Sequence, residues 1–90
     1  MTSGPVGVTG TAVNVTIRYW ASARAAAGCD SERFVGHHVG DVLEAAAAAH
    51  TGLGVVLRVC TVLLDGRQVT ASEPLSEGAT IEVLPPFAGG

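Results

Sequence analysis

From Val13 to Trp20 the chain alternates: Val13, Val15, Ile17 and Tyr19 fall on one side, Asn14, Thr16, Arg18 and Trp20 on the other. Period two with β-branching predicts a strand with one buried face, and leaves Trp20 as a large aromatic on the polar side. Residues 21–30 are rich in Ala, Ser, Arg, Gly and Asp and read mainly as a connection, with room for a helical turn. Ser31 to Val35, with Phe34 as its large apolar residue, is a second strand, antiparallel to the first across that long loop. Val39, Val42, Leu43, Ala46 and Ala47 then follow the i, i+3, i+4, i+7, i+8 stripe of an amphipathic helix spanning Val39 to His50. Alanine favours it, Asp41 and Glu44 suit its N-terminal end, and Gly52 is a natural stop. Gly40 in the first turn and His38 as N-cap are poor choices for a helix start. Val59 to Leu64 is a strongly apolar strand, Asp65-Gly66 a hairpin signal, and Gln68 to Thr70 its short partner. Residues 74–78 form a turn region, and Thr80 to Leu84 a last strand with Ile81 and Val83 inward and Glu82 outward.

The predicted order is strand, strand, helix, strand, short strand, strand. A mixed sheet of about five strands packed on one main helix, with a hairpin on either side, is the α+β arrangement called β-grasp. Leu53 to Leu57 is too short and glycine-rich to supply the second full helix of a ferredoxin-like fold. The expected organisation is a flexible N-terminal tail (1–12), the β-grasp domain (13–84) and an extended C-terminal tail (85–90).

With 90 residues, the chain makes one small domain, which leaves little room for a deep catalytic cavity beside a core. Only 14% of residues are charged, low against the usual quarter, which fits a surface partly covered by a partner; the alanine run offers a simpler source of the same figure. The net charge is −3. Its cations, Arg18, Arg24, Arg33, Arg58 and Arg67, are scattered, which argues against nucleic acid and for basic protein partners. The chain has no lysine, so no second copy can be joined to it through a side-chain amine. Residues 1–12 lack the features of a signal peptide, and no apolar run reaches membrane-spanning length, so a cytoplasmic protein is expected. Cys60 lies in an apolar run and reads as core; Cys29, beside Gly28 and Asp30, reads as an ordinary surface thiol. His37, His38 and His50 find no further ligands at suitable spacing along the chain, so no metal site and no bound cofactor are expected.

The chemistry concentrates at the end of the sequence: Leu84-Pro85-Pro86-Phe87-Ala88-Gly89-Gly90. Paired prolines cannot continue a central strand, so the chain leaves the sheet stiff and extended. Extended, the five residues from Pro86 reach on the order of 16 Å. A Gly-Gly tip has no Cβ, passes through a narrow channel and presents its carboxylate alone. Gly-Gly by itself is weak evidence, since termini are often loosely ordered; behind Pro-Pro on a β-grasp domain it is specific.

These residues, with Tyr19-Trp20-Ala21, Arg24 and Gly28, Val39-Gly40-Asp41-Val42-Leu43, Leu63-Leu64-Asp65-Gly66 and Pro74-Leu75-Ser76-Glu77-Gly78, carry a resemblance. From Val13 to Gly90 the chain resembles the sulfur-carrying small subunits of molybdopterin synthase, within the ubiquitin-like carriers of MoaD/ThiS type. The resemblance implies that an E1-like enzyme adenylates Gly90 and that the acyl group becomes a thiocarboxylate. It further implies that the tail, Pro85 to Gly90, enters a large-subunit pocket and donates sulfur to cyclic pyranopterin monophosphate, forming the molybdopterin dithiolene. The large subunit would supply the catalytic residues, and the assembly would be a heterotetramer. Trp20 and Leu84 fall at the family's partner surface; both are out of phase with the buried residues of their strands, and Phe87 extends the apolar patch. Phe87 is larger than the usual tail residue, and Asp65-Gly66 stands where the family more often has Asn-Gly. Other readings are a carrier for thiamine or cysteine biosynthesis, against which Pro-Pro argues, a ubiquitin-like protein modifier joined through Gly90, a free-standing enzyme, for which no nucleophile–base pair, carboxylate pair or phosphate loop is present, and an inert structural domain.

Overall fold

A computed structural model describes residues 11–86. The expected N-terminal tail falls, but for Thr11 and Ala12, outside the described residues, as do Phe87, Ala88, Gly89 and Gly90. The elements are β1 (Val13–Tyr19), α1 (Ala21–Ala27), β2 (Ser31–Gly36), α2 (Val39–Ala49), α3 (Leu53–Leu57), β3 (Thr61–Leu64), β4 (Arg67–Gln68) and β5 (Thr80–Leu84). They build one five-stranded sheet in the order β2-β1-β5-β3-β4. β1 and β5 run parallel at its centre, and the flanking pairs are antiparallel. This is the mixed β-grasp sheet that the hydrophobic pattern predicts.

The alternation of β1 and β5 divides the sheet into two faces. Val15, Ile17, Tyr19, Ile81 and Val83 are buried with Val39, Val42 and Ala46 of α2 and Leu53 of α3. Each large side chain removed from water in this way contributes about 1.5–3 kcal/mol before chain entropy is subtracted.

Three local readings are corrected, and Leu53–Leu57 is, as read, too short for a second full helix. Residues 21–27 form a helix rather than a connection: Ala23 and Ala27 are buried on one side of it, and Gly28 closes it in a left-handed conformation. Small side chains let this helix lie close to the sheet, but seven residues are too few for a periodicity to show in the sequence. Leu53–Leu57 is a short helix with Leu53 fully buried. Its turn-type bonds run on through Arg58, Val59 and Cys60, whose amides reach Gly54, Val56 and Leu57; β3 therefore starts at Thr61 instead of Val59, and Val59 is exposed. The partner strand is Arg67–Gln68, not Gln68–Thr70.

The poor start of α2 is compensated from outside the helix backbone. The Asp41 carboxylate accepts the backbone N–H groups of His37 and His38, both at 2.9 Å, in the manner of a capping box. Gly40 donates its N–H to the Ala71 carbonyl at 2.8 Å, and a Cβ there would stand 3.2 Å from that oxygen. The glycine is present for this close approach.

Candidate functional site

The central strand β5 is the one that leads into the Pro-Pro segment. Val83 pairs with Tyr19 on one side and Val62 on the other, and Leu84 pairs with Thr61. Pro85 is buried and Pro86 exposed. The tail is thus rooted in the middle of the sheet, with its first proline packed into the domain. A strand with neighbours on both sides cannot fray readily, so its end is a fixed point from which a tail can be presented.

Trp20 sits beside that root. In the β1–β5 register Arg18 faces Glu82 and Tyr19 faces Val83; Trp20, the next residue, reaches Arg18 and Glu82, on the face away from the buried side chains. Trp20 is 36% exposed. Its Nε1–H donates to Glu82 at 3.3 Å, and the Arg18 guanidinium lies 5.0 Å from its ring centroid. The open face at this end thus carries an aromatic ring held between a cation and a carboxylate, with half-buried Leu84 alongside. A ring already held loses less freedom when a partner covers it. The alternation of β1 places Trp20 on this face from sequence alone. The same alternation puts Arg18 and Glu82 on this face, but strand phase alone does not show that they meet the ring. Immediately after Trp20 the backbone turns sharply: Ala21 has φ 49°, a left-handed value that side chains other than glycine seldom adopt.

A second cluster forms where three elements meet on the helix side. Glu32 of β2 accepts the Tyr19 hydroxyl at 2.7 Å, and His50, at the end of α2, lies 2.7 Å from the same oxygen through Nε2. The Tyr19 and His50 rings meet edge-on, with centroids 6.3 Å apart. Burial pushes the Glu32 carboxyl up, but the hydrogen bonds from Tyr19 and His50 outweigh it and leave it below the usual range. Burial, with Glu32 next to it, drives the Tyr19 hydroxyl well above its ordinary value. Cys29 belongs here too: its sulfur and the donor atoms of Glu32 and His50 all lie within 4.8 Å of one another. Distance along the chain hid this meeting. Elsewhere, an open apolar groove lies between α2 and α3, lined by Leu43, Ala47, Gly54 and Leu57 with the stems of Glu44 and Arg58.

A mixed five-stranded sheet in the order β2-β1-β5-β3-β4, packed on α2 with the shorter helices beside it, defines a protein of the ubiquitin-like, β-grasp class. The chain belongs to the ThiS family, whose model matches residues 17–90. It is 30% identical over 83 residues to the molybdopterin synthase sulfur carrier subunit of Chlamydomonas reinhardtii, covering 87% of this chain and all of that one. Among solved structures, a putative molybdopterin converting factor subunit 1 from Pyrococcus furiosus superposes with a TM-score of 0.74 at 27% identity, over 82% of this chain and 98% of the other. The small archaeal modifier protein 1 of Methanosarcina acetivorans superposes with a TM-score of 0.80 at 24% identity, over 90% of this chain and 100% of the other; at that identity the likeness is one of fold.

Proposed function

We propose that this chain is the sulfur carrier subunit of a molybdopterin synthase, working through a thiocarboxylate on Gly90. The observation that carries the reading is the 30% identity to a sulfur carrier subunit along that protein's whole length; the family match running through Gly89-Gly90 supports it. An E1-like enzyme adenylates the Gly90 carboxylate, and a sulfur donor displaces AMP to leave the thiocarboxylate. Pro85 to Gly90 then threads into a pocket of the large subunit, where the sulfur attacks the pterin precursor. The chain contributes no catalytic side chain; it contributes position. A nucleophile on a short stiff tether reacts at high effective concentration. Trp20 and Leu84, joined by Phe87, form the docking patch beside the root of the tail, as exposed aromatic anchors commonly do. The complete assembly is a cytoplasmic heterotetramer with two copies of this chain. Among the described residues no helix is long and apolar enough to cross a membrane.

Intact mass spectrometry tests this on the full chain incubated with the E1-like enzyme, ATP and a sulfur donor. The expected result is replacement of one oxygen by sulfur, abolished by deletion of Gly90, with the sulfur passing to the pterin precursor once the large subunit is added. Isopeptide conjugates to lysines of other proteins without sulfur transfer would make it a protein modifier instead. Sulfur transfer only to a thiazole or cysteine precursor would assign it to another pathway.

A further inference from the structure

We propose that Cys29, Glu32 and His50 form a binding site for one divalent transition-metal ion of the zinc class, distinct from the carrier tail and independent of its chemistry. The three donors are a thiolate, a carboxylate and an imidazole, the set that a borderline ion such as zinc accepts. They come from the α1–β2 junction, β2 and the end of α2, elements far apart in sequence that the fold brings together. With metal–ligand distances of about 2.0–2.3 Å and tetrahedral angles, two donors on one ion stand about 3.3–3.6 Å apart. The three atoms lie within 4.8 Å of one another, so side-chain shifts of about 1 Å, within the reach of rotamer adjustments, seat an ion.

The existing hydrogen bonds serve the site rather than compete with it permanently. Tyr19 donates to Glu32 Oε1, the oxygen that His50 also meets, and fixes the orientation of the carboxylate, the role that second partners take at metal centres. The 2.7 Å contact between His50 Nε2 and Glu32 holds a proton where the ion would sit. Binding sends the Cys29 thiol proton to solvent, while the neutral imidazole carries its proton on Nδ1 instead of Nε2 and so frees Nε2 for the ion. The donor charges suit the ion: one thiolate, one carboxylate and a neutral imidazole sum to zero with a divalent cation. All three side chains are half-buried, which leaves a fourth coordination position for water.

Titration of the reduced full chain with cobalt(II), a spectroscopic stand-in for zinc, tests the site. One equivalent should produce a thiolate-to-metal charge-transfer band; Cys29→Ser should abolish it while circular dichroism stays native. Tyr19→Phe should weaken binding about tenfold to a hundredfold, as loss of a supporting hydrogen bond does elsewhere. A second measurement needs no variant: zinc should slow alkylation of Cys29 and leave Cys60 unaffected, since the Cys60 thiol is engaged with the Val56 carbonyl and lies outside the cluster. Absence of the band in the folded chain, a band that persists in Cys29→Ser, or equal alkylation of both cysteines with and without zinc would overturn the proposal.

Discussion

The two faces of the β1–β5 pair are built from alternating residues of the same strands and serve opposite ends. On the covered face Ile17, Ile81 and Val83 are fully buried and their neighbours are other apolar side chains. On the open face Arg18, Trp20 and Glu82 meet one another through a cation–π contact and a hydrogen bond. One face resists unfolding; the other presents a shaped, polar-framed apolar surface. The difference is that the exposed aromatic has polar partners on its own face, whereas the buried side chains have only apolar ones. The sharpest contrast should come from paired substitutions. Ile81→Ala removes a core side chain and should lower stability by about 2–5 kcal/mol in chemical denaturation, a large part of what so small a domain possesses. Trp20→Ala gives up only exposed contacts worth about 0.5–1 kcal/mol, yet should weaken large-subunit binding by about 2 kcal/mol or more if the ring is an interface anchor. A Trp20→Ala chain that binds normally in calorimetry would dissolve the contrast.

The covered face was readable because its signals are periodic and made of large residues. β1, α2 and β5 show their spacing without help, and Asp65-Gly66 marks its turn. α1 and α3 were not readable in the same way: Ala23 and Ala27 carry little hydrophobic signal, and α3 is a single stretch of five residues between glycine and arginine. The candidate site divides similarly. Trp20 and Leu84 followed from strand phase, and the start of the tail from two prolines. The meeting of Cys29, Glu32 and His50 depends on three tertiary contacts and leaves no local pattern.

The edge hairpin belongs to neither face and so provides a control. Asp65 and Gly66 both have positive φ, 48° and 86°, as the tight turn between right-twisting strands requires. The Asp65 carboxylate also accepts the Thr80 N–H at 2.9 Å, tying the turn to the start of β5. A Cβ on Gly66 would meet nothing within 4 Å, so Gly66→Ala costs backbone strain alone, about 1 kcal/mol. Thermal denaturation should show that loss, while the affinity for the large subunit, measured in parallel, should stay unchanged. A fall in affinity would mean that the turn itself touches the partner.

The smallest expected effect is a dependence on acid, to which two surface carboxylates contribute beside the half-buried Glu32. Asp41 accepts the His37 and His38 amides, and those bonds hold its carboxyl below the usual range. Glu77 accepts the backbone and side-chain N–H groups of Asn14 at 3.0 and 3.1 Å, which lowers its carboxyl too. Folded values below the unfolded ones mean that the folded chain releases these protons more readily. The stabilisation is therefore complete above the ordinary carboxylate range and disappears as pH falls through the depressed values. The melting temperature should be flat from neutrality down to about pH 5 and decline below about pH 4. Asp41→Asn keeps an acceptor for the two amides but has no proton to take up, so it should flatten its share of the decline without moving Trp20. A melting profile in Asp41→Asn and Glu77→Gln as steep as that of the unaltered chain would shift the acid response to other carboxylates, and with it the view that the ends of α2 and β1 are pinned by these two clamps.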